Sequence, residues 1–141
     1  MYRRESENIT VKYGIVAAAE AEQTGVIIDR LGYGSGRFFI HYTGSLADEE
    51  TVTATVKIQD GNESDLSDAV TATLQNGVVV HTDVGGGTRT LTSELDLDLE
   101  GYGRYIRFQV TLATSAGTDN LTYCAGIALA DARTKPVTAT F

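Results

Sequence analysis

The sequence predicts an all-β protein: an antiparallel β-sandwich of the jelly-roll kind with about eight strands. The first observation is that apolar and polar residues alternate along much of the chain, most clearly in residues 51–59 and 106–112. A period of two with β-branched and aromatic side chains is typical of strands with one buried face. The second is that glycine-rich turns separate these segments at the spacing typical of sandwiches and jelly rolls.

The first half of the chain contains three predicted strands. Residues 9–16 form the first, with four apolar residues expected on one buried face: Ile9, Val11, Tyr13 and Ile15. Residues 17–23 are too short for a stable isolated helix, so we interpret them as a loop. A short strand is predicted at residues 26–29 and a longer one at residues 37–43. The glycines of residues 32–36 indicate the turn between them.

Residues 51–59 form the clearest strand, because four apolar residues alternate strictly with polar ones: Val52, Ala54, Val56 and Ile58. Asp60-Gly61 and Asn76-Gly77 are favoured hairpin pairs, since a type I′ turn needs positive φ at both central positions. They lead us to predict separate strands at residues 70–74 and 78–84. The remaining strands are predicted at residues 90–99, 106–112 and 121–129. Because Pro136 is the single proline, threonine-rich faces and acidic side chains are expected to limit pairing at the sheet edges.

The length of 141 residues fits one domain with a real core. We predict a flexible N-terminal arm at residues 1–8, the sandwich at residues 9–137 and a C-terminal tail at residues 138–141. No apolar run approaches the roughly 18 residues of a membrane helix, and the first residues do not read as a secretory signal. A net charge of -8 disfavours binding to nucleic acid. A single cysteine excludes an internal disulfide.

Catalytic and metal-binding patterns are weak. His41 and His81 have no neighbouring acid at a recurrent catalytic spacing, and Cys124 is interpreted as a small buried thiol. A dyad of Cys124 with a histidine stays open, because such groups assemble from distant residues. Residues 60–68 carry oxygen ligands, but Asp65 stands where a calcium loop requires glycine, so a solvated acidic loop is expected. We therefore predict no enzymatic activity, no cofactor and no metal.

Four segments together resemble a family of small proteins encoded in the head-morphogenesis region of tailed bacteriophages and related prophages. They are residues 24–33, 56–61, 103–111 and 128–137, and their order and spacing carry the match over roughly residues 9–137. The chain departs from the family at Leu66, where an aromatic residue is frequent, and at Ala130-Asp131, where a Gly-His pair is frequent.

The resemblance implies a virion protein without enzymatic activity, a capsid decoration or auxiliary head protein. Its expected partner is the major capsid protein on the outer head surface, after synthesis in the host cytoplasm. A homo-oligomer is expected, with a trimer favoured, because several weak contacts then act together. We expect five residues to contact capsid carboxylates: Tyr2, Arg3, Arg4, Arg133 and Lys135.

A second hypothesis is a binding module displayed on the virion that recognises a glycan or the host surface. Three tyrosines near predicted loop ends would form its aromatic platform: Tyr33, Tyr102 and Tyr105. A structural role in the tail or at the head–tail junction is a further alternative.

Overall fold

The computed structural model describes residues 9–19, 22–116 and 121–132, and these form nine strands and no helix. No helix able to span a membrane occurs in this part of the chain. The predicted arm at residues 1–8 and tail at residues 138–141 lie outside it. The strands are β1 (Thr10–Ala19), β2 (Gln23–Thr24), β3 (Ile28–Asp29), β4 (Tyr33–Leu46), β5 (Thr51–Gly61), β6 (Val70–Thr82), β7 (Gly87–Asp98), β8 (Tyr105–Thr114) and β9 (Leu121–Ala132).

The strands form two antiparallel sheets. One has the order β1-β9-β4-β7, and the other has the order β2-β8-β5-β6 with β3 also paired to β8. Because β2 and β3 lie along the same neighbour, they act as one interrupted strand. β1 pairs with β9, β2 and β3 pair with β8, and β4 pairs with β7. The innermost pair is the β5–β6 hairpin. This pairing is that of a rolled-up jelly roll, so the predicted fold class is confirmed.

The core lies between the two sheets and consists of the inward-facing residues of each strand. In β5 the predicted alternation holds, since its four apolar residues are fully buried: Val52, Ala54, Val56 and Ile58. Phe38 of β4 and Phe108 of β8 join the two sheets, with ring centroids 4.4 Å apart. Side chains of the outer faces therefore remain available for contacts outside the chain.

β1 buries fewer side chains than the sequence predicts. Ile15 is buried, but Ile9, Val11 and Tyr13 are 42%, 50% and 57% exposed. The ladder with β9 shifts register between Tyr13 and Ile15, which marks a β-bulge at Gly14. Because one extra residue sends the following side chains to the opposite face, Ile15 enters the core while the three preceding apolar residues stay outside.

β6 is one strand rather than the two predicted. Its ladder with β5 shifts register three times, and Gly77 has a φ of 58°. The Asn76-Gly77 pair therefore serves a bulge instead of a hairpin turn. The prediction was also wrong at residues 32–36, because the turn ends at Gly32, with a φ of 87°, and β4 begins at Tyr33. Within residues 17–23, predicted as a loop, β1 extends to Ala19 and β2 begins at Gln23.

Asp83 fixes the connection that leads from β6 into β7. Its carboxylate is buried and accepts hydrogen bonds from Arg89 Nε at 2.5 Å and from the Gly86 amide at 2.8 Å. The hydrogen bond from Arg89 is the main reason that the pKa of Asp83 lies below its usual range. The start of β7 is thereby held against the preceding turn.

Candidate interaction surface

Three exposed apolar side chains, Ile9, Val11 and Tyr13, form a stripe on the outer face of the β1-β9-β4-β7 sheet, and we call it the apolar stripe. Val11 lies opposite Ala128 of β9, and Tyr13 lies opposite Gly126. Neither neighbour has a side chain large enough to cover the stripe. The Gly14 bulge thus produces an exposed apolar edge on one sheet of the sandwich.

Gly126 lets aromatic rings from the two strands beside β9 meet. The ring of Tyr13 stands edge-on to the ring of Phe39 of β4, with centroids 5.9 Å apart and planes at 87°. A Cβ atom at Gly126 would lie 2.9 Å from Phe39 Cζ and 2.5 Å from the Lys12 carbonyl oxygen. Glycine is therefore required here, because any side chain would push either the ring or strand β1 away.

A shallow groove of about 430 Å³ borders the apolar stripe. Its apolar lining includes Ile9, Ala128 and Ala130, while Arg37 and Asp96 contribute charged groups. The groove thus presents both apolar side chains and a paired cation and carboxylate on the outer face of this sheet.

The far edge of the same face is acidic. Glu94, Asp96 and Asp98 are exposed at alternate positions of β7, and we call them the acidic band. Arg37 Nε donates to Asp96 Oδ1 at 2.7 Å, and Arg37 NH1 lies 3.3 Å from Glu94 Oε2. The hydrogen bond to Asp96 raises the pKa of Arg37. One guanidinium therefore serves two carboxylates, and the band keeps a net negative charge.

The three residues considered for catalytic chemistry are Cys124, His41 and His81, and the burial of Cys124 differs from the prediction. Cys124 is half-buried rather than buried, because the odd-numbered residues of β9 fill the core and Cys124 points to the outer face. It lies opposite His41 of β4 in the ladder, and His41 Nδ1 is 2.9 Å from Thr92 Oγ1. His81 lies in a different sheet, 3.4 Å from Asp83 Oδ1. The structure thus makes Cys124 and His41 cross-strand neighbours on an exposed surface.

The acidic loop between β5 and β6 uses its carboxylates to hold its own backbone. Asp68 Oδ2 accepts a hydrogen bond from the Asn62 amide at 2.8 Å, and Asp65 Oδ1 accepts one from the Ser67 amide at 3.0 Å. These backbone hydrogen bonds lower the pKa of both aspartates. Leu66 is buried. Across the ranges that the structure describes, no three His, Cys, Asp or Glu residues are grouped so as to hold a metal ion.

The three tyrosines of the glycan hypothesis all lie near one end of the sandwich. Tyr33 and Tyr102 pack partly buried against the core, and the Tyr33 hydroxyl is 2.7 Å from Thr10 Oγ1. Tyr105 lies beside the Arg104 guanidinium, whose carbon is 4.9 Å from the ring centroid. An aromatic platform made of all three tyrosines stays a prediction.

Arg30 is a residue that the sequence analysis did not single out. Its guanidinium donates to the carbonyl oxygens of Tyr33, Tyr102 and Gly103, so it joins the turns that precede β4 and β8. The sequence contains a sign of this link, because a Gly-Tyr-Gly triplet occurs at both places, in residues 32–34 and 101–103. Tyr2, Arg3, Arg4, Arg133 and Lys135, the five expected capsid contacts, lie outside the described residues.

No family model matches the sequence, and no curated protein is significantly similar to it. Among solved structures, a chain in the structure of infectious bursal disease virus, Gx strain, is similar with a TM-score of 0.51 and 8% sequence identity. The similarity covers 91% of this chain but only 33% of that longer chain. At this identity the likeness concerns the fold alone: a β fold that also occurs in a virus. It does not extend to the tailed-phage decoration family, and that resemblance stays an expectation.

Proposed function

We propose that this chain is a structural protein of a virus particle and that it contacts neighbouring subunits through the outer face of the β1-β9-β4-β7 sheet. The observation that carries the proposal is the apolar stripe, in which the Tyr13 ring packs edge-on against the Phe39 ring on the same face. Contiguous exposed apolar side chains beside charged groups are typical of protein interaction sites. The jelly-roll pairing and its likeness to a virus chain support a role in the particle.

The more specific proposal is a capsid decoration protein that binds the major capsid protein on the outside of a tailed-phage head. It is supported by the four segments of the sequence that resemble auxiliary head proteins. A protein on the outer surface needs no enzymatic chemistry, and a shell contact needs only a complementary face. A second set of contacts to capsid carboxylates is proposed for five residues near the two ends of the sequence: Tyr2, Arg3, Arg4, Arg133 and Lys135.

The size of the apolar stripe supports an oligomer. Covering the exposed parts of its three side chains removes roughly 250 Å² of apolar surface from water, worth about 6 kcal/mol. Association itself costs about 4–15 kcal/mol in lost translational and rotational freedom. One stripe is therefore a weak contact, whereas a homo-oligomer, with a trimer favoured, engages several capsid subunits at once.

The test compares two aspartate substitutions on opposite sheets. Val11 and Val79 are both strand valines, 50% and 54% exposed, but only Val11 belongs to the apolar stripe. Particles are purified from cells that produce the virus with each variant, and the copy number of the chain per particle is measured by quantitative mass spectrometry. We expect Val11→Asp to reduce occupancy at least tenfold and Val79→Asp to leave it unchanged, with both variants folded by circular dichroism.

Two outcomes would overturn parts of this proposal separately. Equal occupancy of the two variants would remove the stripe from the contact, and absence of the wild-type chain from purified particles would exclude the virion role. Replacement of Arg3 and Arg4 by alanine is expected to lower occupancy as well, and undiminished occupancy would exclude the N-terminal contact.

A further inference from the structure

The free edges of the two sheets differ in how regular they are. β1, β6, β7 and the interrupted pair β2 and β3 lie at the edges. The ladder of β1 contains two register shifts, that of β6 contains three, and β2 and β3 have two residues each. Bulges twist an edge strand and short strands offer few groups, so these edges are poor templates for another strand.

β7 is the exception among the described strands. It pairs with residues 35–46 of β4 along its whole length, with no register shift. No strand of the described chain pairs with its other side. Its free backbone groups therefore form a regular ladder edge, onto which a further strand can add.

The charge of β7 selects the kind of strand. A second copy of β7 would place three more carboxylates next to the acidic band, and like charges at adjacent cross-strand positions are destabilising. A strand with lysine or arginine at alternate positions would instead set its cations beside Glu94, Asp96 and Asp98. Arg37 offsets only part of this negative charge.

The inner side of the same edge carries Leu91, Leu95 and Leu97, with Ser93 between them and Arg89 near the start of the strand. Leu91 and Leu95 alternate with the exposed polar residues of β7 and are only partly buried, at the rim of the core. Aliphatic side chains on an added strand would cover these two leucines, because strand side chains alternate between faces. The outer face of β7 thus favours basic side chains on an added strand, and its inner face favours aliphatic ones at the alternate positions.

We propose that β7 is a docking edge for an extended segment of another protein in which basic and aliphatic residues alternate. The segment adds as a strand beside β7, with its basic side chains next to the acidic band and its aliphatic side chains over Leu91 and Leu95. This binding goes beyond the proposed contact of the apolar stripe and does not depend on a role in a virus particle.

The test uses a synthetic, dye-labelled ten-residue peptide of alternating lysine and valine, with binding followed by fluorescence anisotropy. Two further peptides carry N-methyl groups either on all lysine amides or on all valine amides. Because successive backbone amides of a strand point to opposite sides, a peptide that pairs with β7 along one side uses either its lysine amides or its valine amides, but not both. We expect one methylated peptide to bind like the parent peptide and the other to bind at least tenfold more weakly.

A matched pair of protein variants separates the edge from overall charge. E94Q/D96N/D98N neutralises the acidic band, and E49Q/E63Q/D65N neutralises three exposed carboxylates elsewhere. We expect about tenfold weaker binding for the first variant only, since exposed ion pairs each change affinity by roughly two- to threefold. Amide hydrogen exchange of the wild-type protein should slow at β7, and not at β6, when the peptide binds.

Absence of binding would overturn the proposal, as would equal binding of both methylated peptides. Equal weakening in both protein variants would also overturn it, because attraction by net charge would then suffice.

Discussion

Phe38 and Phe39 test the register of β4, because they are adjacent residues of the same type on opposite faces of the sheet. Phe38 is 1% exposed and packs against Phe108 in the core. Phe39 lies on the outer face, where its ring meets Tyr13. We expect Phe38→Ala to be much more destabilising than Phe39→Ala. A register slip of one residue would reverse the order, since every side chain of the strand would change face.

The magnitudes follow from burial. Covering about 150 Å² of a phenylalanine at roughly 25 cal/mol per Å² is worth about 4 kcal/mol, and buried Phe→Ala substitutions cost about 3–5 kcal/mol. Phe39→Ala leaves no closed cavity and loses an edge-to-face pair worth about 0.5–1.5 kcal/mol plus part of its area. We therefore expect a cost of about 1–2 kcal/mol for Phe39 and a difference of at least about 2 kcal/mol between the variants.

Urea unfolding followed by tyrosine fluorescence and by circular dichroism measures both free energies of unfolding, provided that the two probes coincide. If Phe38→Ala does not fold, Phe38→Leu replaces it and should still cost more than Phe39→Leu. Equal costs, or a larger cost at Phe39, would refute the assignment of Phe38 to the core and of Phe39 to the outer face. The contact proposed for the outer face of this sheet would then lose its structural basis.

Two further predictions concern stability. At Gly103 an added Cβ would lie 2.5 Å from the Gly61 carbonyl oxygen, whereas at Gly101 no atom lies within 4 Å of such a Cβ. We therefore expect Gly103→Ala to lower the free energy of unfolding in urea by about 1–3 kcal/mol and Gly101→Ala to lower it by about 0.5 kcal/mol or less. Equal costs for the two variants would contradict the close approach at Gly103. The hydrogen bond from Arg89 lowers the pKa of Asp83 in the folded state. The ionised carboxylate therefore stabilises the fold at pH values above its pKa in the unfolded chain, which is near 4. This stabilisation is lost as the pH falls through the lower pKa of the folded state. The urea midpoint of the wild type should therefore fall on acidification below about pH 4, and the gap to Asp83→Asn should narrow there; parallel profiles would contradict this assignment.

The sequence was sufficient for the fold class, because the inward faces of β5 and β8 are set by alternation alone. It was misleading wherever one residue was inserted into a ladder. At Gly14 a bulge turned a predicted core stripe into an exposed one, and at Asn76-Gly77 a turn signal was used for a bulge. Local patterns state which residues alternate, but the partner strand decides where an extra residue is placed.

The candidate surface was harder to predict than the fold. The apolar stripe depends on that same bulge, and the acidic band matters only because β7 lies at the edge of its sheet. The order of strands across a sheet is a property of long-range pairing, and the alternation in residues 90–99 contains no sign of it. The edge strand β7 carries acidic side chains, and their effect on edge pairing stays a prediction. In contrast, the edge strand β6 contains no Lys, Arg, Asp or Glu and has three bulges instead.

The position of β9 has a consequence for biosynthesis. This strand is the last of the described chain, yet it lies between β1 and β4 in the middle of its sheet. On the ribosome, β1 therefore has no partner until residues 121–132 have emerged, and the first sheet can close only after that point. Pairing over such a sequence separation is slow and leaves unpaired strands exposed to aggregation in the meantime. A stop codon before residue 121 would remove the centre of the sheet rather than its edge, because both β1 and β4 pair with β9.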